Sequence, residues 1–293
     1  METGTGRKAI DQADARAVLD FLAWHRHRYI PVTPTSKQHE FLTLARLGVS
    51  ESFYGGSGGG AKSWALLMAG LQYADRPDYS ALLVRRDLTM LELPGGLLDV
   101  AREWLRPFTA AGEVKYSSNL HQFRFPRGAT LTFGYLACDA DMDLYAGARF
   151  DFVGVDESTQ ISERRNLFLF SRIRRAVGST IPQRFYRAGN PGGPGHEAHK
   201  RRYVDPRTRA QGVVYVPARL ADNPHLDRMA YEASLAKLDP VTRARILSGD
   251  WDAAYGGGVF KPDAAKIIQE LPRGISAWCR GWDFGASSND TSD

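Results

Sequence analysis

Cysteine is nearly absent from this chain, and the two present, Cys138 and Cys279, lie far apart. That excludes a disulfide framework and a cysteine-built zinc site, and it fits a reducing cytoplasm. Long apolar runs are missing too: no stretch reaches membrane-spanning length, and the N-terminus has no signal-peptide core. There is neither an internal repeat nor a low-complexity tract. Neither sign of charge dominates, because 38 Lys and Arg against 33 Asp and Glu leave a formal net charge of +5. So modest a basic excess permits a polyanionic partner without establishing one. A 293-residue chain with 43% hydrophobic residues can hold one large α/β domain plus a smaller piece.

What is abundant is glycine, concentrated in Phe53-Tyr54-Gly55-Gly56-Ser57-Gly58-Gly59-Gly60-Ala61-Lys62-Ser63. An apolar helix from Trp64 to Tyr73 is expected to follow. A loop of small residues running into a helix N-terminus is the layout of a phosphate cradle. Gly56, Ser57, Gly58, Gly59, Gly60 and Ala61 would supply the wrapping backbone. Lys62 would reach the β/γ-phosphates, and the Ser63 hydroxyl would sit on Mg²⁺. Ala61 replaces the last glycine of the usual pattern, so it is expected to avoid a strongly positive φ. The plain alternative is a flexible glycine loop that happens to end in Lys-Ser.

About ninety residues on, Phe150-Asp151-Phe152-Val153-Gly154-Val155-Asp156-Glu157 is an apolar run ending in two acids. It is too short for a helix and reads as a buried parallel strand. Asp156 would emerge at its C-terminal end, where open α/β sheets bind ligands. There it would hold Mg²⁺, directly or through water, and Glu157 would orient and deprotonate an attacking water.

Elsewhere the patterning predicts a helix over 11–28, a second helix after Thr33–Gln38 and a strand over Tyr79–Arg86. Residues Leu88–Thr109 read as mostly helical. A β-hairpin is expected across Pro126-Arg127-Gly128. A helix near Arg164–Arg175 and a strand near Arg184–Ala188 follow, then the loop Gly189–Gly195. Strands alternating with helices predict a P-loop α/β fold, a mainly parallel sheet flanked by helices.

These residues resemble the large subunit of tailed-phage terminases, the DNA-packaging ATPase. The resemblance rests on the Tyr54–Ser63 loop, on Tyr145–Phe150 running into Val155-Asp156-Glu157, and on Ser171–Arg174. It also rests on Ala188–His196, Lys200–Tyr203, Asp222-Asn223-Pro224, Gly249-Asp250-Trp251 and Trp282-Asp283-Phe284-Gly285. The resemblance implies ATP and Mg²⁺ as ligands, with Lys62 and Ser63 on the phosphates and metal, Asp156 associated with Mg²⁺, and Glu157 as catalytic base. Asn190 would sense the γ-phosphate and couple hydrolysis to movement of the 215–250 region. Gln38 either contacts the adenine or is a polar residue at a helix start. Arg149, Arg172 and Arg85 are unranked candidates for an arginine finger. The implied partners are double-stranded DNA, a small terminase subunit, the capsid portal and a homo-oligomeric ring, in the host-cell cytoplasm and not on a membrane.

The resemblance also divides the chain into an ATPase motor over 1–252, a glycine-rich linker over 253–274 and the start of a ribonuclease-H-like nuclease over 275–293. Asp283 matches a nuclease metal ligand, but the later carboxylates that two-metal cleavage needs are not present, so no nuclease activity is expected. Two basic groups, Lys200, Arg201, Arg202, Arg207 and Arg209, and Arg172, Arg174 and Arg175, are either DNA-backbone contacts or solvated faces. Two other readings stay open: a helicase-like DNA-dependent ATPase and a nucleotide-binding assembly module without turnover.

Overall fold

The computed structural model describes residues 27–174 and 177–253, all within a compact unit that ends at Ala253. The strands described are β1 Glu51–Gly56, β2 Ser80–Arg85, β3 Lys115–Ser117, β4 Gln122–Arg124, β5 Thr130–Tyr135, β6 Phe152–Val155, β7 Arg184–Gly189 and β8 Val213–Ala218. They form one sheet in the order β3-β4-β5-β2-β6-β7-β1-β8. From β5 to β8 every neighbouring pair is parallel, and β3 and β4 extend the β5 edge antiparallel.

Parallel strands are covered on both faces, so their side chains alternate between two apolar layers. Ala81 and Leu83 of β2, Phe152 of β6 and Tyr186 of β7 join the larger layer. Leu82, Val84, Val153, Val155 and Phe185 join the smaller one. The larger layer is covered by helices α1 Ser36–Thr43, α2 Lys62–Leu71 and α3 Leu97–Ala110. Helix α2 is buried from Ala65 to Leu71 and packs on β2, β6 and β7. Its C-terminal end is held by the fully buried Arg184, which donates to Ala69 O at 3.2 Å and Gln72 Oε1 at 2.8 Å. A cation there complements the helix dipole. The smaller layer is covered by α4 Glu163–Phe170. Helices α5 Arg228–Leu235 and α6 Pro240–Leu247 have no fully buried residue.

The mainly parallel α/β sheet is as expected, and so are the strand over β2 and the hairpin of β4 and β5. The helical stretch after Leu88 is broken at Pro94-Gly95-Gly96, where Gly95 takes a φ of 79°. The helix expected to reach Arg175 stops at Phe170. The chain extends there to pair with Phe150, whose N–H donates to Arg172 O and whose carbonyl accepts from Arg174 N–H. All but the last two residues of the helix expected over 11–28 lie outside the described residues. So do Arg175, the linker beyond Ala253 and the strand ending in Asp283.

Candidate functional site

The strand order determines where the site forms. Because β7 lies between β1 and β6, the segments after all three emerge side by side at the C-terminal edge. These segments are the glycine loop, Asp156-Glu157 and Asn190. They open on a cavity of about 940 Å³ lined by Gly58–Ser63, Glu157, Asn190 and Gln38, with Tyr231 among the residues opposite.

At the loop, Gly56 is held against β8, and its φ of 134° admits only glycine. The Ser57 N–H donates to Ala218 O at 2.9 Å and the Gly58 N–H to Ile246 O at 2.6 Å. Gly56 and Ser57 are buried and do not line the cavity, so the part of the loop open to it begins at Gly58. Ala61, expected to avoid a strongly positive φ, is instead left-handed, at φ 52° and ψ 33°, and caps α2. That is the mildest positive-φ region, and an L-residue there costs roughly 1–2 kcal/mol. The buried Lys62 ammonium donates to Ser57 O. Burial lowers its pKa, and the nearby Glu157 and Asp156 oppose that.

Ser63 Oγ donates to Asp156 Oδ1 at 2.9 Å. Asp156 is 1% exposed, and its Oδ2 has no hydrogen-bond partner. Burial raises the pKa of Asp156. Glu157, left-handed at φ 47°, is likewise raised by burial and by the adjacent Asp156 charge, while the Lys62 and Arg85 charges and the Asn190 backbone oppose that. Asn190 is fixed in turn by Thr159 Oγ1, which donates to its carbonyl at 2.8 Å, and its own Oδ1 is buried without a partner. A hydroxyl and a carboxylate with one oxygen lacking a hydrogen-bond partner are hard ligands of the kind Mg²⁺ takes alongside phosphate oxygens. Among the described residues no cluster of three or more His, Cys, Asp or Glu side chains would hold a metal unaided.

Gln38 is buried and its amide is engaged: Oε1 accepts from Thr35 N–H at 2.9 Å and Nε2 donates to Ala61 O at 2.9 Å. It thus closes a capping box on α1 and braces the phosphate loop. Sequence reading missed the groups that cover the loop. Asn223 Nδ2 donates to Gly59 O at 2.7 Å, and Leu226 and Tyr231 line the cavity. Asn223 lies in the Asp-Asn-Pro signal noted above; nothing local marks Tyr231.

The three candidate arginines separate. Arg85 ends β2 beside Asp156, its Nη1 3.8 Å from Oδ2. Arg149 and Arg172 adjoin Phe150 at the opposite edge, roughly 20 Å away along the strand direction. In the basic segment, Arg202 is tied to Glu51 at 2.6 Å, Lys200 to Asp252 at 2.6 Å and Arg207 to Asp205 at 2.9 Å. Arg201 and Arg209 are exposed. Glu51 also accepts from the fully buried Arg187 at 3.1 Å and from Tyr203. Arg187 bridges on to Glu163 at 2.8 Å. This cluster ties the start of β1 to β7 and to the turn that follows His199. Among the described residues no helix is long and apolar enough to cross a membrane.

No family model matches the sequence, and no curated protein matches it. Solved structures do. The large terminase of a thermophilic bacteriophage aligns with a TM-score of 0.57 at 17% identity, over 74% of this chain and 53% of that one. The same protein in complex with ATP-gamma-S aligns at 0.56 and 16%, over 74% and 52%. The Thermus phage P74-26 large terminase ATPase domain aligns at 0.53 and 12%, over 76% and 96%. This chain therefore spans about half the length of the thermophilic phage's large terminase and nearly all of the isolated ATPase domain. The architecture built around β1, β6 and β7 is the fold of phage large-terminase ATPase domains.

Proposed function

We propose that this chain is an ATP-hydrolysing motor that moves double-stranded DNA, acting as the ATPase part of a terminase large subunit. The observation that carries the reading is the Ser63–Asp156 hydrogen bond at the mouth of the phosphate loop, with Lys62 and Glu157 beside it. The amides from Gly59 to Ser63 and the α2 N-terminus provide a site for the ATP phosphates. Lys62 supplies the cation at the β/γ end. Ser63 and Asp156 would hold Mg²⁺, which when bound neutralises charge on the phosphate oxygens. Glu157, its pKa raised by burial, is suited to take a proton from the attacking water. Asn190 lines the cavity beside Glu157, and its buried Oδ1 is left without a partner. Adenine contact by Gln38 would need its amide to serve the base as well as the loop.

Arg85 is the finger candidate that serves its own site; Arg149 and Arg172 suit only the site of a neighbouring subunit. That division fits a homo-oligomeric ring docked on a capsid portal and fed by a small terminase subunit. Within the 200–209 segment, the exposed Arg201 and Arg209 would follow a DNA backbone without reading its sequence. The test is ATPase activity with double-stranded DNA at rising salt. Stimulation that fades with salt, and that Arg201→Ala with Arg209→Ala removes without changing basal turnover, supports the motor. Turnover indifferent to DNA refutes it.

A further inference from the structure

The loop carrying Asn190 is joined by side chains to the last described turn of the chain. The Gly192 N–H donates to His196 Nδ1 at 2.9 Å. An amide only donates, so Nδ1 is the bare nitrogen, and Nε2–H donates to Trp251 O at 3.2 Å. The two rings also stack, with centroids 5.2 Å apart and planes 24° from parallel. Trp251 reaches the phosphate loop by a second route. Its Nε1–H donates to Tyr215 Oη at 3.3 Å, and Tyr215 donates to Gly55 O at 3.2 Å. Two residues earlier, Gly249 lies so close to the loop that an added Cβ would stand 2.5 Å from Ser57 N. Trp251 is 6% exposed and so cannot shift independently of these partners.

Resting on the motor reading above, we propose that His196 is a positioning residue that makes Trp251 follow the Asn190 loop, so that the state of the γ-phosphate is passed to residues 249–253. Neutral imidazole suits this role, offering one acceptor and one donor on opposite sides of a rigid ring. Burial lowers the ring's pKa, opposed by Glu197 and by the hydrogen bond to Trp251 O and reinforced by Arg245 and Lys200. The link is short, contiguous and built of hydrogen bonds with defined direction, which is what coupling between two loops requires.

The test compares wild type, His196→Phe and His196→Gln by hydrogen–deuterium exchange, each loaded with ADP or ATP-gamma-S. Phenylalanine keeps the stack and removes both hydrogen bonds; glutamine restores an acceptor and a donor. In wild type, segments 189–195 and 249–253 should both exchange differently with the two nucleotides. In His196→Phe the difference should persist at 189–195 and shrink at 249–253 to what the Tyr215–Gly55 route carries, and His196→Gln should recover it. The kcat of His196→Phe should fall about thirtyfold, the worth of the two lost hydrogen bonds, with ADP affinity kept. A nucleotide response at 249–253 in His196→Phe equal to wild type overturns the proposal. So does a joint loss of kcat, ADP affinity and thermal stability, which marks a merely structural role. ATP-gamma-S binding with no response at 249–253 in wild type sinks the link alone; no nucleotide binding at all sinks the motor reading and the link together.

Discussion

Replacing Glu51 with glutamine tests the buried ion cluster at the start of β1. Glu51 is 5% exposed and serves three donors: Arg187, Arg202 and Tyr203. Taking one charge from a buried, paired set typically costs about 3–5 kcal/mol, because the partner is left uncompensated. Two features place Glu51→Gln at the low end. Arg187 keeps Glu163 at 2.8 Å, and the Arg202 side chain, 31% exposed, can turn to water. About 3 kcal/mol is expected, which corresponds to a Tm fall of roughly 6–12 °C. The pH dependence is a second check. Burial alone would raise the Glu51 pKa, but Arg202, Tyr203 and Arg187 together hold it below the usual range. A lowered carboxylate contributes stability above its unfolded pKa and loses it as pH falls through the folded one. The gap between wild type and Glu51→Gln should therefore be full at neutral pH and close in acid. A Tm change under about 2 °C, or a gap of constant size across pH, would refute the reasoning.

Other outcomes follow from the same geometry. Ala61→Gly relieves the left-handed strain but adds disorder to the unfolded chain; it should gain up to about 1 kcal/mol in thermal unfolding with nucleotide affinity unchanged. Gly249→Ala forces a Cβ into the Gly56–Ser57 backbone at φ 65°; it should cost roughly 2–4 kcal/mol and weaken ATP-gamma-S binding in a titration. In a pH–rate profile, kcat/KM should fall on the acid side at a pH above the ordinary glutamate range, because burial raises Glu157 in the free enzyme and its protonated form cannot accept the water's proton.

The parts of the site that local chemistry dictates were legible in the sequence. A glycine run before Lys62-Ser63, an apolar run ending in Asp156-Glu157 and a strand running into the Gly189-Asn190 loop each carry their own signal. A parallel order then brings the three together. What was not legible depends on contacts between distant segments. Ala61 is left-handed because the loop must meet both Gln38 and α2, which no propensity at one residue records. The helix after Glu163 stops at Phe170 because Phe150, some twenty residues earlier, draws the chain into a bridge. Arg187 and Arg202 read as ordinary basic residues until Glu51, more than 130 positions away, is seen between them. Tyr231 and the Ile246 carbonyl lie on helices with no fully buried residue, so no strong periodicity announced that they cover the loop.

The central claim is tested most directly by steady-state ATP hydrolysis of wild type beside Lys62→Ala and Glu157→Gln, with ATP-gamma-S affinity measured on all three. Wild type should turn ATP over, and both substitutions should abolish that turnover. Glu157→Gln should still bind ATP-gamma-S, whereas Lys62→Ala should not. Hydrolysis that survives Glu157→Gln, or a wild type that binds nucleotide and never turns it over, would contradict the claim.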